Sequence, residues 1–196
     1  MQRGCAQLHH ISMIREVTPI KLRAVFFVAF AFSALPALAD NPSPQVKRGQ
    51  QVVLSGGCND CHTPLKMGPK GPEPDMSRML SGHPENIVLP PPPPLTEAWN
   101  NVGSATNTAF AGPWGITYAI NLTPDAETGT GKWREKDFIQ AIKSGKHMGV
   151  GRDIQPPMPW EAYRHLSESD LKAAFAYLRS IPPIRNKVPA YVPPAK

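Results

Sequence analysis

Apolar residues recur at helical spacing in three stretches of this chain. The clearest lies near the end, where Leu171, Ala174, Phe175 and Leu178 fall at i, i+3, i+4 and i+7. Ser167 is a good N-cap with Asp170 three residues on, Leu166 and Leu171 occupy the staple positions, and Pro182 and Pro183 stop the helix. An earlier helix is predicted from Val46 to Leu54, with Val46, Gly49 and Val53 on one face. Gly49 there costs up to ~1 kcal/mol of helix propensity, so its position predicts a close crossing with another helix. The third helix is predicted over about Lys136 to Ser144, with Phe138, Ala141 and Ile142 on one side and Gly145 as its stop. A short turn from Glu161 to Arg164 is expected to lead into the last helix.

Between Thr63 and Thr130 the periodicity fails. Here stand Gly68-Pro69-Lys70-Gly71-Pro72 and the five prolines Pro90 to Pro94. The run predicts polyproline II spanning about 15 Å at ~3.1 Å per residue. Its expected place is a stiff loop packed on the domain, with a partner-docking strip as the alternative. Proline makes up 24 of 196 residues, roughly twice the usual ~5%. A chain so composed cannot be mostly long helices or central strands.

The first 39 residues read differently. Lys21 and Arg23 precede an apolar run from Ala24 to Leu35, and Ala37-Leu38-Ala39 supplies small residues at a cleavage position. That order is expected of a secretory signal peptide, with Met13 a plausible true start and residues 40–196 as the mature domain. The run is short of the about 20 apolar residues of a membrane span, so none is expected after cleavage. An uncleaved anchor is the alternative. The formal charge of +6 splits evenly, and residues 40–196 keep 17 basic and 14 acidic residues. With no basic block among them, nucleic acid is not an expected partner.

Residues 40–196 hold two cysteines, in Cys58-Asn59-Asp60-Cys61-His62. An exported pair is ordinarily a disulfide, and the two-residue gap also suits a redox-active one. Neither uses His62. The pentapeptide has the spacing of c-type haem attachment, in which both thiols bind the haem vinyl groups and the imidazole reaches the iron. Zinc would want two more ligands at matched spacing, and His83, His147 and His165 are scattered.

These residues carry a resemblance to a known family. Gly49, followed by Gly57-Cys58-Asn59-Asp60-Cys61-His62-Thr63, resembles the amino-terminal part of class I, mono-haem c-type cytochromes. Pro156-Pro157-Met158-Pro159-Trp160 is similar to that family's distal methionine loop, and Tyr177-Leu178-Arg179-Ser180 to the end of its last helix. The nearest likeness is to bacterial cytochromes that accept electrons from periplasmic dehydrogenases. The resemblance implies an all-α, cytochrome c-like fold of a few short helices around one covalently bound haem. The long proline-rich stretch around 63–130 is an insertion in it, and the first and last helices cross beside the haem.

His62 and Met158 are the expected axial ligands. His/Met ligation raises the potential and suits electron transfer, and the prolines around Met158 stiffen its loop. Trp160 is expected to cover the haem edge. Met148, in the glycine-rich segment 145–151, is the alternative thioether, and His147 a bis-histidine alternative or a plain loop residue. Phe110, Trp114 and Tyr118 are expected to pack over the haem, with Asn121, Trp133 and Arg152 as candidates for its propionates. Asp125 to Gly129 and Asn121-Leu122-Thr123 faintly match a calcium loop and a glycosylation sequon and are read as turns.

The expected function is a periplasmic electron carrier, not an enzyme, passing single electrons between a redox donor and acceptor such as a dehydrogenase or oxidase. Lys66, Lys143 and Lys146 are candidates for steering an acidic partner. A haem c sensor or small redox enzyme with an open distal site is the alternative. A fixed subunit of a dehydrogenase or oxidase is a third reading.

Overall fold

Ser43 opens the first helix: its hydroxyl accepts from the Val46 N–H at 3.3 Å, and Pro44 sits where no helical N–H is needed. The computed structural model describes residues 41–96 and 98–194. The expected signal peptide, with Met13 and the cleavage position, lies outside the described residues.

Helix α1 (Pro44–Ser55) buries Gly49, Val52 and Val53. It packs against α5 (Glu168–Ser180), whose N-cap Ser167 hydroxyl accepts from the Asp170 N–H at 3.0 Å. A Cβ built on Gly49 would lie 2.5 Å from the Ala173 carbonyl carbon and 2.8 Å from Tyr177 Cβ. The glycine therefore lets the two backbones meet, as its place on the apolar face predicts. Arg48 and Asp170 add an ion pair at 2.8 Å on the rim of the crossing.

Between them lie the single-turn α2 (Cys58–His62), α3 (Glu135–Ser144) and the short α4 (Trp160–Tyr163). Helix α3 starts one residue before its apolar pattern because the Asp137 carboxylate accepts from the Arg134 N–H at 3.0 Å and from its guanidinium at 2.7 and 2.8 Å. Gly145, at φ 68°, ends it. Phe138 of α3 meets Phe175 of α5 with ring centroids 5.5 Å apart. With Val52, Val53, Leu80, Ile142, Leu171 and Leu178 they form the buried core.

The aperiodic stretch is more regular than its sequence suggests. β1 (Leu65–Gly68) and β2 (Gly71–Pro74) form an antiparallel hairpin, with Gly71 at φ 118° beginning the return strand. A second antiparallel sheet runs β3 (Val102–Gly103), β4 (Ala109–Gly112), β5 (Gly115–Tyr118) in that order. Val192 bridges Ile116 and so brings the chain's last described segment to that sheet. Strands of two to four residues, rich in glycine and proline, leave no alternation to read.

The proline run also differs from expectation. Pro90 to Pro94 are exposed, and Val88 and Trp99 nearby are 91% and 72% exposed. Five residues without N–H groups cannot join a sheet, and a polyproline backbone keeps its carbonyls hydrated.

One buried side chain ties the loops together. The Asn186 amide donates to the Ser81 and His83 carbonyls at 2.7 and 2.8 Å, and its oxygen accepts from Arg78 at 2.8 Å and the Glu85 N–H at 2.9 Å. Asn121 is similarly occupied, donating to the Ile184 carbonyl at 2.7 Å. Asp125 closes a turn on the Glu127 and Thr128 N–H groups at 3.1 and 2.7 Å, as its reading as a turn requires.

Candidate functional site

Gly57, at φ 67°, turns the chain sharply out of α1, and α2 begins at the next residue. One helical turn then sets Cys58 and Cys61, three residues apart, on the same side. Both are free thiols, and both face a cavity of about 350 Å³. His62, 7% exposed, faces it as well. Burial pushes the Cys58 thiol up to about 11 and raises Cys61 also. They are kept as neutral thiols rather than reactive thiolates.

The His62 imidazole is fixed by a backbone group. Its Nδ1 lies 2.8 Å from the Ile120 carbonyl. A carbonyl only accepts, so Nδ1 carries the proton and Nε2 keeps its lone pair. Burial pushes the imidazole pKa down, partly opposed by that hydrogen bond. A neutral ring with one nitrogen oriented by a backbone carbonyl is the form that binds a metal.

Another part of the lining comes from Ile154, Gln155, Pro157, Met158 and Pro159. Met158 is half-buried and packs against the core. The loop is tied to the motif, because the Tyr163 hydroxyl of α4 donates to the Gly56 carbonyl just before Cys58. Val52, Val53, Phe138, Ile142, Leu171 and Leu178 supply apolar walls from three helices, while Phe110 and Tyr118 close the sheet side.

Cys58, Cys61, His62 and Met158 thus converge on one chamber. Other expected residues do not. Met148 is 37% exposed and does not face the cavity. Trp160 packs on Gly145 and stacks with Arg164 at 5.5 Å, away from the lining. Trp114 also stays outside the lining. The Asn121 amide is spent on the backbone. The three lysines are engaged elsewhere: Lys66 with Asp75 at 3.4 Å, Lys146 with Asp153 at 2.6 Å, and Lys143 with the Arg164 and Leu166 carbonyls at 2.7 Å. His83 has both ring nitrogens in structural hydrogen bonds, to Thr108 at 2.9 Å and the Ile87 carbonyl at 3.2 Å. Among the described residues no three His, Cys, Asp or Glu side chains are placed so as to hold a metal ion by themselves.

A second chamber of about 360 Å³ adjoins the first, sharing Tyr118, Ile120, Trp133, His147 and Arg152 with it. Its other walls are mixed, with polar Asn121, Glu127, Thr128, Thr130 and Lys187 beside apolar Val188, Pro189 and Ala190. Tyr191 closes it, donating to the Trp114 carbonyl at 2.5 Å and lying 5.4 Å from the Arg152 guanidinium. Asn121, Trp133 and Arg152, named together from the sequence, all line this chamber, while its remaining walls come from segments far apart in the chain.

The residues fit a covalently held haem. Two neutral thiols and a free imidazole nitrogen come from one helical turn, in an apolar cavity within the ~300–1,000 Å³ of ligand sites. The adjoining chamber, where Arg152 and Lys187 outnumber Glu127, suits the carboxylate side of such an amphiphilic group.

No family model matches the chain. Among curated proteins it is similar to one subunit of the nicotinate dehydrogenase of Pseudomonas putida, 29% identical over 155 residues, covering 79% of this chain and 10% of that protein. The gluconate 2-dehydrogenase cytochrome c subunit of Pantoea cypripedii is 27% identical over 158 residues, covering 80% and 28%. The cytochrome c subunit of the quinone-dependent alcohol dehydrogenase of Gluconobacter oxydans is 27% identical over 169 residues, covering 85% and 28%. The chain thus spans less than a third of the length of each of these relatives. The last two are cytochrome c subunits by name, which supports a c-type cytochrome family at low identity and an electron-transfer role with haem as cofactor. Among the described residues no helix is long and apolar enough to cross a membrane.

Proposed function

We propose that residues 40–196 form an exported, mono-haem c-type cytochrome that passes single electrons in the periplasm, serving a dehydrogenase. The observation that carries this reading is the convergence of Cys58, Cys61, His62 and Met158 on one apolar cavity. Cys58 and Cys61 would hold the haem through thioether bonds, and His62 Nε2 and the Met158 thioether would bind its iron. The bound haem supplies one-electron Fe(II)/Fe(III) chemistry.

The chain's own residues do the rest. The Ile120 carbonyl orients His62, and the hydrogen bond makes the imidazole a better donor. Leu171, Leu178, Phe138 and Val53 exclude water, which favours the less charged state of the site and limits its reorganisation. Tyr163 fixes the methionine loop against the haem-binding motif. The order basic, apolar, small in residues 21–39 supports export, and the three relatives, dehydrogenase subunits by name, support a dehydrogenase as partner.

Visible spectra of the protein matured with haem, oxidised and reduced, test this beside Met158→Ala. The expected result is a covalent haem whose weak long-wavelength thioether band in the oxidised form vanishes in the variant. A wild type without that band, whose reduced form binds carbon monoxide readily, would replace this reading with a sensor or enzyme having an open distal site.

A further inference from the structure

Helix α2 is a single turn that carries both cysteines and His62, and it is too short to be stable alone. Its last carbonyls need donors. The Asp60 carbonyl would look to the N–H four residues on, but residue 64 is proline and has none. Asn107 fills the gap, its side-chain amide donating to the Asp60 carbonyl at 2.8 Å. The Gly82 N–H donates to the His62 carbonyl at 2.8 Å. The Thr63 hydroxyl donates to the Asn59 side chain at 2.8 Å and accepts from the Leu80 N–H at 2.9 Å. With the Ile120 carbonyl on the His62 ring, the proline-rich stretch grips this turn from Leu80, Gly82, Asn107 and Ile120.

The grip is held under strain. Among the described residues three besides glycine have positive φ, and two of them are Leu80 at 60° and Asn107 at 53°. Such residues persist only where their surroundings over-determine them, and they cluster at functional sites. Around Asn107 those surroundings are a row of hydroxyls. Ser104 meets Thr106 at 3.0 Å, Thr106 meets Thr108 at 2.8 Å, and Thr108 meets the His83 ring at 2.9 Å. The Leu65 N–H donates to the Thr106 carbonyl at 2.9 Å, so this loop lies directly beside the turn.

We propose that Asn107 is a positioning residue for electron transfer, the side chain through which the 104–108 loop fixes the turn that holds the haem. This rests on the haem reading above. The Asp60 carbonyl belongs to the rigid peptide unit joining Asp60 to Cys61. Its orientation therefore sets where the Cys61 sulfur and, one residue later, the His62 ring lie. A turn that shifts between the Fe(II) and Fe(III) states adds reorganisation to every electron exchange. A turn capped at its carbonyls keeps one geometry in both states.

Asn107→Gly separates positioning from folding. Glycine adopts a positive φ freely, so the backbone keeps its course and only the donor is lost. Asn107→Asp keeps the side-chain shape but sets a second acceptor against the Asp60 carbonyl.

The test is nuclear magnetic resonance of the haem-loaded wild type and both variants. The spread of the haem-methyl signals in the oxidised protein reports the orientation of the axial ligands. Mixtures of oxidised and reduced protein give the electron self-exchange rate. In both variants the methyl pattern should shift and self-exchange should slow, with the optical thioether band retained. In Asn107→Gly the slowing should be roughly fivefold, the equivalent of about 1 kcal/mol for one hydrogen bond. A wild-type methyl pattern or an unchanged self-exchange rate in Asn107→Gly overturns the proposal, whatever happens to Tm. Loss of the thioether band in that variant also overturns it, because the effect would then lie on the methionine side. Should neither variant fold, hydrogen exchange at the Thr63, Leu65 and Gly82 amides of the haem-loaded wild type decides. Equal protection in the reduced and oxidised states supports the proposal, and protection lost in either state overturns it. A chain that takes up no covalent haem refutes the underlying haem reading instead.

Discussion

Replacing Gly49 by alanine sets two known effects against each other. Alanine is the better helix former by about 0.8–1.0 kcal/mol, so an unpacked α1 would gain from the change. The new methyl, however, would fall on the Ala173 carbonyl oxygen, with the carbonyl carbon at 2.5 Å and Tyr177 Cβ at 2.8 Å. Two of those three atoms are backbone and cannot rotate aside, so α1 and α5 must separate. Overpacking of this kind typically costs about 1–3 kcal/mol, and here separation also loosens Val52 and Val53, among the most buried residues of α1. We expect a net loss of about 2 kcal/mol, which for a domain of this size lowers Tm by roughly 4–8 °C. Thermal unfolding of the haem-loaded protein by far-UV circular dichroism measures it. Gln50→Ala, at the exposed neighbouring position, is the control and should stay within about 0.5 kcal/mol. A Gly49→Ala protein that melts at or above the wild-type temperature would refute the close crossing and with it the packing of both helices behind the cavity.

Two further outcomes follow from buried polar groups. Asn186→Ala strands the Ser81 and His83 carbonyls without their donor, and each buried unsatisfied group costs about 1–3 kcal/mol. A loss of about 3 kcal/mol in urea unfolding is expected, and an unchanged midpoint would mean that water replaces the amide. Asp137 is held down at about 2 by the hydrogen bonds of Arg134, against an ordinary 3.8. Its folded pKa is the lower one, so its contribution is full above 3.8 and lost as pH falls toward 2. The stability difference between wild type and Asp137→Asn should therefore shrink across that interval, and a constant difference would show that the pair does not act in the folded state.

The helices were legible because their signals are local. Leu171, Ala174, Phe175 and Leu178 repeat at helical spacing beside a serine cap, and both the pattern and the cap recur in the structure. The sheets were not, because their strands are too short to alternate and one pairing joins Ile116 to Val192, far along the chain. The start of α3 shows the intermediate case. Its apolar face was visible, but the capping by Asp137 adds a residue that hydrophobicity alone leaves out.

The same division runs through the site. Cys58, Cys61 and His62 announce themselves within five residues, and Met158 through the prolines on either side. What orients them is invisible to any local pattern: His62 depends on the carbonyl of Ile120, and a backbone oxygen carries no side-chain signature. The link from Tyr163 to Gly56 likewise joins residues 107 apart. His147 is the sharpest instance. In sequence it lies in a glycine-rich loop, where an exposed histidine is the ordinary expectation. Folding places its ring against Trp133 and in the lining of both chambers, a position no local pattern announces. The motif identifies the group that can be bound, but the long-range contacts decide how the protein controls it.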